Sequence, residues 1–550
     1  MSMIDEGVQL ESLLDLGLTW GPGQLLAASG LSGPTRYEQG LVARSRQDAG
    51  FDVVLPVEGR VTLDDAPPRR ALIAGDYFVL ELQDGGLACG VMLDAEHLLI
   101  EAPAVRVSDG LRVSRSTGRS LISAPKASSP ESPGRSVMDL IALRHHWFVE
   151  HAEHLRRKIG RDLDPVARKA LLQLRTQVQS PEGMLGKRWS TPDRWPHRDM
   201  WLWDSVFHAL GWRHLDLPLA QEMIEAVFEA QQSDGFVPHQ ASPTARSTIT
   251  QPPILAFGVL QLLRSGADPD WCRTLYQPLQ DYLRWNRQHR DRDGSGLLEW
   301  FIEEDENCRS GESGMDNSPR FDEAIQLDAV DFNAFMAAEY HALQQLAQRL
   351  GHDRDAQTFA TQRQQLADLI NQRMWDPATG FYHDYDAARG ARTPILSSAG
   401  FMPLLAGIAS PAQAQRLAEH LQNPQTFGTP LPVPSVAARC QPPHNKDMWR
   451  GPVWVNINWL IVHALREHGF DPLAADLRDR TLAAVEKQVR RLGVFFEYYD
   501  DSDAVTPPQL LRKSSTQRGI NPYHEVIYEF GWTASLYLDL LVDAASSPSA

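Results

Sequence analysis

The sequence predicts a multidomain protein: an N-terminal antiparallel β-sandwich followed by an all-α domain that closes as an (α/α)6 barrel. Three observations carry that expectation. Short runs of alternating polarity, separated by tight-turn residues, fill roughly residues 36–124. A Ser- and Pro-rich stretch follows, and beyond it apolar residues recur at helical spacing. At 550 residues the chain also exceeds the size at which a single core usually stops growing. The boundaries read 1–124 for the β domain, 125–136 for a linker and 137–550 for the helical domain.

In the first segment, YFVLEL at 77–82, LACGVML at 87–93, HLLIEA at 97–102 and LRVS at 111–114 read as strands. Asp84-Gly85-Gly86 and Asp109-Gly110 supply the positive-φ residues that tight hairpins need. The stretch SAPKASSPESPGRS at 123–136 has the composition of an extended connection. Fourteen of the fifteen tryptophans lie after it, which assigns the aromatic chemistry to the second domain.

Beyond the linker, LPLAQEMIEAVFEAQQ sets Leu219, Met223 and Val227 beside Ala220, Ile224 and Phe228 in one apolar stripe, with Asp216 as cap and Asp234-Gly235 as stop. Residues 328–350 and 472–492 repeat that logic. Further helices are expected near 137–159, 164–178, 203–213, 250–264, 270–290, 354–375, 410–421, 453–468 and 526–545. About a dozen helices with no intervening strands are too many for a four-helix bundle. A ring of helical hairpins is preferred to an open solenoid, for which no fixed-period repeat is present. Long irregular loops at 292–327 and 422–450 would build a pocket at one end.

Composition narrows the function. Hydrophobic residues are 43% and charged residues 22%, which excludes a disordered chain. A net charge of −17 opposes nucleic acid and anionic membranes as partners and suits a small neutral carbohydrate. The start, MSMIDEGVQLESLLDLGLTW, carries acids where a signal peptide needs a basic region, and no apolar run approaches the ~20 residues of a membrane span. A cytoplasmic location is the expectation. Cys89, Cys272, Cys308 and Cys440 lack metal-ligand spacing, so no cofactor and no metal are expected. The run Asp291-Arg292-Asp293-Gly294-Ser295-Gly296-Leu297 resembles the start of a calcium loop but lacks the terminal bidentate Glu, so a tight turn is preferred. His145 and His151 fall in a predicted helix without an acid cluster and read as surface or core residues.

Five clusters carry the chemistry: Arg198-Asp199-Met200-Trp201-Leu202-Trp203-Asp204, Gln251-Pro252-Pro253, Glu312-Ser313-Gly314-Met315-Asp316-Asn317-Ser318-Pro319-Arg320, Asp447 to Trp454, and Phe495-Phe496-Glu497-Tyr498-Tyr499. In the third, Gly314 and Pro319 forbid a regular helix, and Asn317 and Ser318 favour a held turn that aims Asp316 into a cleft. In the last, burial between rings would raise the Glu497 pKa. The rival reading makes Asp316 a turn acid and Glu497 a surface acid.

At these residues the chain resembles glycoside hydrolase family 63, in the clan that also holds the inverting trehalases. WLWDS at 201–205, ESGMDNSPR at 312–320, DAVDFNAF at 328–335, WRGPVWVNINW at 449–459, FFEYY at 495–499 and FGWT at 530–533 carry the likeness in order. The resemblance implies the six-hairpin barrel, inversion at the anomeric carbon, Asp316 as general acid, Glu497 as general base and a sugar contact at Asp204. Where the family continues FFEYY with a Pro- and Gly-containing turn, this chain has Asp500-Asp501-Ser502-Asp503-Ala504. The β domain also goes beyond the compact relatives that cleave glucosylglycerate or mannosylglycerate.

Inverting hydrolysis asks for the same pair: one protonated carboxyl to protonate the departing oxygen, and an ionised one about 6.5 to 9.5 Å away to activate water. Trp203, Trp449, Trp454 and Tyr498 are candidate aromatic contacts, each with core packing as its rival. Asp204, Gln251, Arg320 and Gly451 complete the candidate site, with an ion pair to Glu312 or Asp322 as the alternative for Arg320. The function expected is an inverting α-glucosidase or α-mannosidase acting on a small glycoside. A phosphorylase on the same barrel and a noncatalytic sugar-binding toroid are the alternatives.

Overall fold

A computed structural model describes residues 13–108, 110–130, 135–440, 443–513 and 525–546. Residues 1–12 of the N-terminal stretch, Asp109 of the second hairpin turn and residues 131–134 of the linker lie outside them. The chain divides into two compact units, one of residues 1–199, 485–495 and 528–550, the other of residues 200–484 and 496–527. Among the described residues no helix is long and apolar enough to cross a membrane.

The first unit opens with eleven strands: β1 (Leu25–Ala27), β2 (Val42–Ser45), β3 (Ala49–Leu55), β4 (Gly59–Asp64), β5 (Arg70–Ile73), β6 (Tyr77–Glu81), β7 (Leu87–Asp94), β8 (His97–Glu101), β9 (Arg106–Val107), β10 (Arg112–Ser116) and β11 (Arg119–Ser123). They form two antiparallel sheets, ordered β1-β2-β3-β4-β9 and β10-β11-β8-β7-β6-β5. Gly85 turns between β6 and β7 at φ +84°, as the hairpin reading requires. Both sheets feed one core, in which the rings of Phe51 and Phe78 lie 4.8 Å apart.

Helices α1 (Val137–Ile159) and α2 (Pro165–Gln177) follow. Ser136 and Asp164 cap them. Arg175 on α2 pairs with the buried Asp76, and the Tyr77 hydroxyl meets His145 Nδ1 at 2.8 Å. Burial pushes the His145 pKa down to about 4, which makes it a core histidine.

The second unit is helical. It holds α3 (Leu202–Trp212), α4 (Leu217–Glu229), α5 (Leu255–Arg264), α6 (Pro269–Arg290), α7 (Val330–Leu350), α8 (Asp353–Arg373), α9 (Met402–Leu405), α10 (Pro411–Gln422), α11 (Val455–Glu467) and most of α12 (Asp471–Leu492). The last helix, α13 (Gly531–Ser546), belongs to the first unit. Consecutive helices pack as hairpins at α3 with α4, α5 with α6 and α7 with α8. Asp216 caps α4 as expected, but that helix ends at Glu229, before the Asp234-Gly235 stop. The helix expected from 250 starts at Leu255. Thr250 is drawn into a side-chain bond with Tyr282, and Gln251 into one with the Trp203 amide, so these residues stay outside the helix. The described residues of the loops at 291–329 and 423–454 are irregular apart from short turns and two-residue strands, and they carry the acid turn and the second tryptophan motif.

Candidate active site

The acid turn is built from its ends inward. Glu312 is fully buried and accepts from Arg290, from Thr250 N at 3.2 Å and from Phe301 N at 3.1 Å, which anchors the entry. Gly314 has φ +68°, and a Cβ there would lie 2.4 Å from the Trp203 ring. Only glycine permits both the left-handed backbone and that approach. At the exit, all five guanidinium N–H groups of Arg320 are engaged, on Asp331, Asp384 and Met315 Sδ, at 2.6 to 3.5 Å. The expectation that Arg320 pairs with Glu312 or Asp322 is therefore corrected: Arg290 takes Glu312, and Arg450 takes Asp322. Arg320 also has no N–H left for a sugar hydroxyl.

Between those anchors Asp316 remains 20% exposed, with Lys513 Nζ at 2.9 Å. Burial pushes its carboxyl up, but the Lys513 ammonium and its hydrogen bond, the Arg512 guanidinium and the Cys308 thiol together outweigh this and hold it below the ordinary carboxylate value.

Glu497 is buried and has a counter-charge. Arg512 Nε donates to Oε2 at 3.0 Å and Nη2 to Oε1 at 3.3 Å, both side chains being buried. Burial works against the Arg512 charge, and Glu497 more than offsets it, so the guanidinium stands above its ordinary value. The two form a buried ion pair.

Hydrogen bonds to and between backbone groups tie four segments together. Trp449 N donates to Asn317 Oδ1 at 3.0 Å, which fastens the acid turn to the tryptophan motif. Val453 and Tyr499 exchange two bonds, which fastens that motif to the Glu497 segment. Met448 N donates to Leu511 O, Leu511 N to Lys446 O, and the Tyr498 hydroxyl to Leu511 O at 2.6 Å, which lays residues 510–513 against both. Lys513 and Met448 carry left-handed backbones, φ +54° and +44°, an unusual demand on residues with side chains.

Trp449 and Trp454 stack on each other at 3.8 Å and 3°, and Trp454 leans on Tyr498 at 4.8 Å. All three are buried. Gly451 admits no side chain, because a Cβ would lie 2.0 Å from Asn445 O. Gln251 accepts from Trp203 N at 3.2 Å, which anchors the start of α3, and Asp204 follows, buried, in its first turn. The departing turn Asp500 to Ala504 is held by Lys446, which bonds Asp500 and reaches Asp501 at 2.9 Å. Burial pushes Asp500 up, but Lys446, the Val505 amide and Ser502 bring it down to about 2.

Residues 196–505 match the mannosylglycerate hydrolase MGH1-like glycoside hydrolase domain. The chain belongs to this glycoside hydrolase family. It is a glycosidase of the family 63 type, a class that works with inversion. A mannosylglycerate hydrolase of Rubrobacter radiotolerans is 25% identical over 64% of this chain and 92% of its own length. One from Thermus thermophilus is 29% identical over 54% and 88%. A periplasmic trehalase of Xanthomonas campestris is 24% identical over 88% and 89%. The crystal structure of the family 63 mannosylglycerate hydrolase from Thermus thermophilus in complex with glucose superposes with a TM-score of 0.56, at 27% identity, over 68% of this chain and 99% of that one.

Several residues of this glycosidase escape a motif reading. Arg512 and Lys513 lie outside every aromatic cluster, and their only signal is two adjacent cations downstream of an acid-rich turn. His239 is within electrostatic reach of Asp316. Burial lowers its pKa to about 4 although Asp316 pulls it upward, so it is neutral at physiological pH. Asn317 Nδ2 and Trp449 Nε1 are buried donors without an acceptor among the described residues.

Proposed function

We propose that this chain hydrolyses a small α-linked glycoside with inversion, with Asp316 as general acid and Glu497 as general base. The helical sequence from 137 to 550 is read as an (α/α)6 barrel, preceded by a β domain at 1–124 and a linker at 125–136. One observation supports the site most strongly: the adjacent residues Arg512 and Lys513 each hold one of the two carboxylates, so one short segment carries the counter-charges of both acids. Asp316 gives its proton to the glycosidic oxygen as the bond to the anomeric carbon breaks. Water attacks that carbon from the opposite face and loses a proton to Glu497. Asn317 Nδ2, Trp449 Nε1, Asp204 and His239 are the groups proposed to meet sugar hydroxyls, with Trp203 and Tyr498 as apolar walls.

The Lys513 contact favours one class of substrate. Next to that ammonium Asp316 is held as a carboxylate, so a general acid forms only when the ammonium is drawn away. An aglycone bearing a carboxylate does this: Lys513 turns to the ligand, burial then dominates at Asp316, and its pKa rises toward protonation. Relatives include hydrolases named for mannosylglycerate and glucosylglycerate, whose glycerate carries that charge, whereas trehalose carries none. A glycerate α-glycoside of glucose or mannose is therefore the proposed substrate.

Proton NMR of a panel of glucosylglycerate, mannosylglycerate and trehalose tests both points at once. The β-anomer of the free sugar should appear first, with a glycerate glycoside turned over fastest and the rate independent of added phosphate. First release of the α-anomer, or a clear preference for trehalose, would overturn the reading.

A further inference from the structure

The run from Asp291 to Glu299, leaving α6, gathers oxygen ligands that the hydrolysis does not use. Glu299 and Asp328 are bridge partners on antiparallel segments, which sends their side chains to one side. Carboxylate oxygens of Asp293, Glu299 and Asp328 all lie within 4.8 Å of one another. Asp293 Oδ1 accepts from Ser295 N at 2.8 Å. Glu299 accepts from Gln326 Nε2 at 2.7 Å and meets Arg292 Nε at 2.9 Å. Asp328 differs: it is 0% exposed, and neither of its carboxylate oxygens has a hydrogen-bond partner among the described residues. A buried carboxylate without a donor, facing two further acids, is a costly arrangement that a bound cation would relieve.

We propose that Asp293, Glu299 and Asp328 bind a calcium ion. A donor set of carboxylates without His or Cys selects a hard cation over zinc or copper. The sequence fits a calcium loop up to its last ligand: Asp291, Asp293, Ser295 and Glu299 stand at its first, third, fifth and ninth places, and Gly294 and Gly296 turn it at φ +73° and +84°. The twelfth place is Ile302, so the loop has no closing carboxylate of its own. Asp328, brought by the bridge to Glu299, supplies it. Asp293 is exposed, which leaves an entry path and room for the waters that complete a calcium shell. The ion would tie this loop to the start of α7, whose first turn carries Asp331, one of the two acids that clamp Arg320 under the acid turn.

The test uses the full chain, stripped with EDTA and dialysed, titrated calorimetrically with calcium chloride and followed by thermal melting, with magnesium chloride in parallel. One calcium per chain and a raised Tm are expected, with magnesium weaker. Asp328→Asn should lower calcium affinity by roughly tenfold or more. Asp293→Asn, at an exposed position, should do the same and keeps the test available if the buried variant does not fold. No heat and no melting shift at millimolar calcium, magnesium binding as tightly as calcium, or an unchanged response in a folded variant would each overturn the proposal.

Discussion

Two cations grip the acid turn four residues apart, and the contrast between them separates framework from chemistry. Arg320 is 0% exposed, spends every N–H, and spans two buried acids, Asp331 and Asp384. Lys513 pairs with Asp316 from a left-handed backbone, and both partners are 20% exposed. A saturated, buried pair has nothing left to offer a substrate and is expensive to break. A single, partly exposed pair is cheaper to break, and breaking it removes the charge that holds the Asp316 carboxyl below its ordinary value. The same pairing of opposite charges therefore holds the fold in one case and is poised for exchange in the other.

Five substitutions sharpen that contrast. The largest effect is expected at the acids: Asp316→Asn and Glu497→Gln should each lower kcat by about 10²- to 10⁴-fold while leaving the Tm of the Asp316 variant near that of the parent. Next, Arg320→Met leaves Asp331 and Asp384 buried and unpaired and should cost about 3 to 5 kcal/mol in denaturant unfolding. Third, Gly314→Ala must fit a Cβ against the Trp203 ring at φ +68° and should cost about 1 to 3 kcal/mol, with kcat falling as the turn shifts. An Arg320 variant as stable as its parent would erase the distinction between the two grips.

The smallest stability effect is expected for Lys513→Met, about 1 kcal/mol or less. Its pH dependence has a definite sign. Asp316 is depressed below its ordinary 3.8, so its share of the pair is present above that pH and is lost as pH falls through the folded value. Lys513 is raised above 10.5, so its share is present below that pH and is lost as pH rises through the folded value. The difference between parent and variant should thus be flat across neutral pH and shrink toward both ends. In activity the variant should move the basic limb of the kcat/KM profile to higher pH, because the acid it releases titrates later.

The elements were legible where local rules decide them. Strands β6 and β7 and the Gly85 turn follow from alternation, and α1, α7 and α12 follow from the helical period of their apolar residues. Reading failed where tertiary contacts override the pattern, as at residues 250–254, where Thr250 and Gln251 serve the site instead of a helix turn. In the proposed site, the aromatic-acid motifs are what single out Asp316 and Glu497, since residue type and turn chemistry can be read locally. Arg512, Lys513, Asp331 and Asp384 were not legible: their meaning lies in pairing over long sequence separations, and no local period records it. Asp328 is similar, being one ligand of a loop whose other members are 29 to 37 residues upstream.

The division of labour between the two acids is tested most directly with the α-glycosyl fluoride of whichever sugar the panel turns over, because fluoride departs without protonation. Asp316→Asn should hydrolyse the fluoride at close to the parent rate while losing the natural glycoside, and Glu497→Gln should lose both. A variant at Asp316 that loses both substrates equally, or one at Glu497 that still cleaves the glycoside, would contradict the assignment of acid and base.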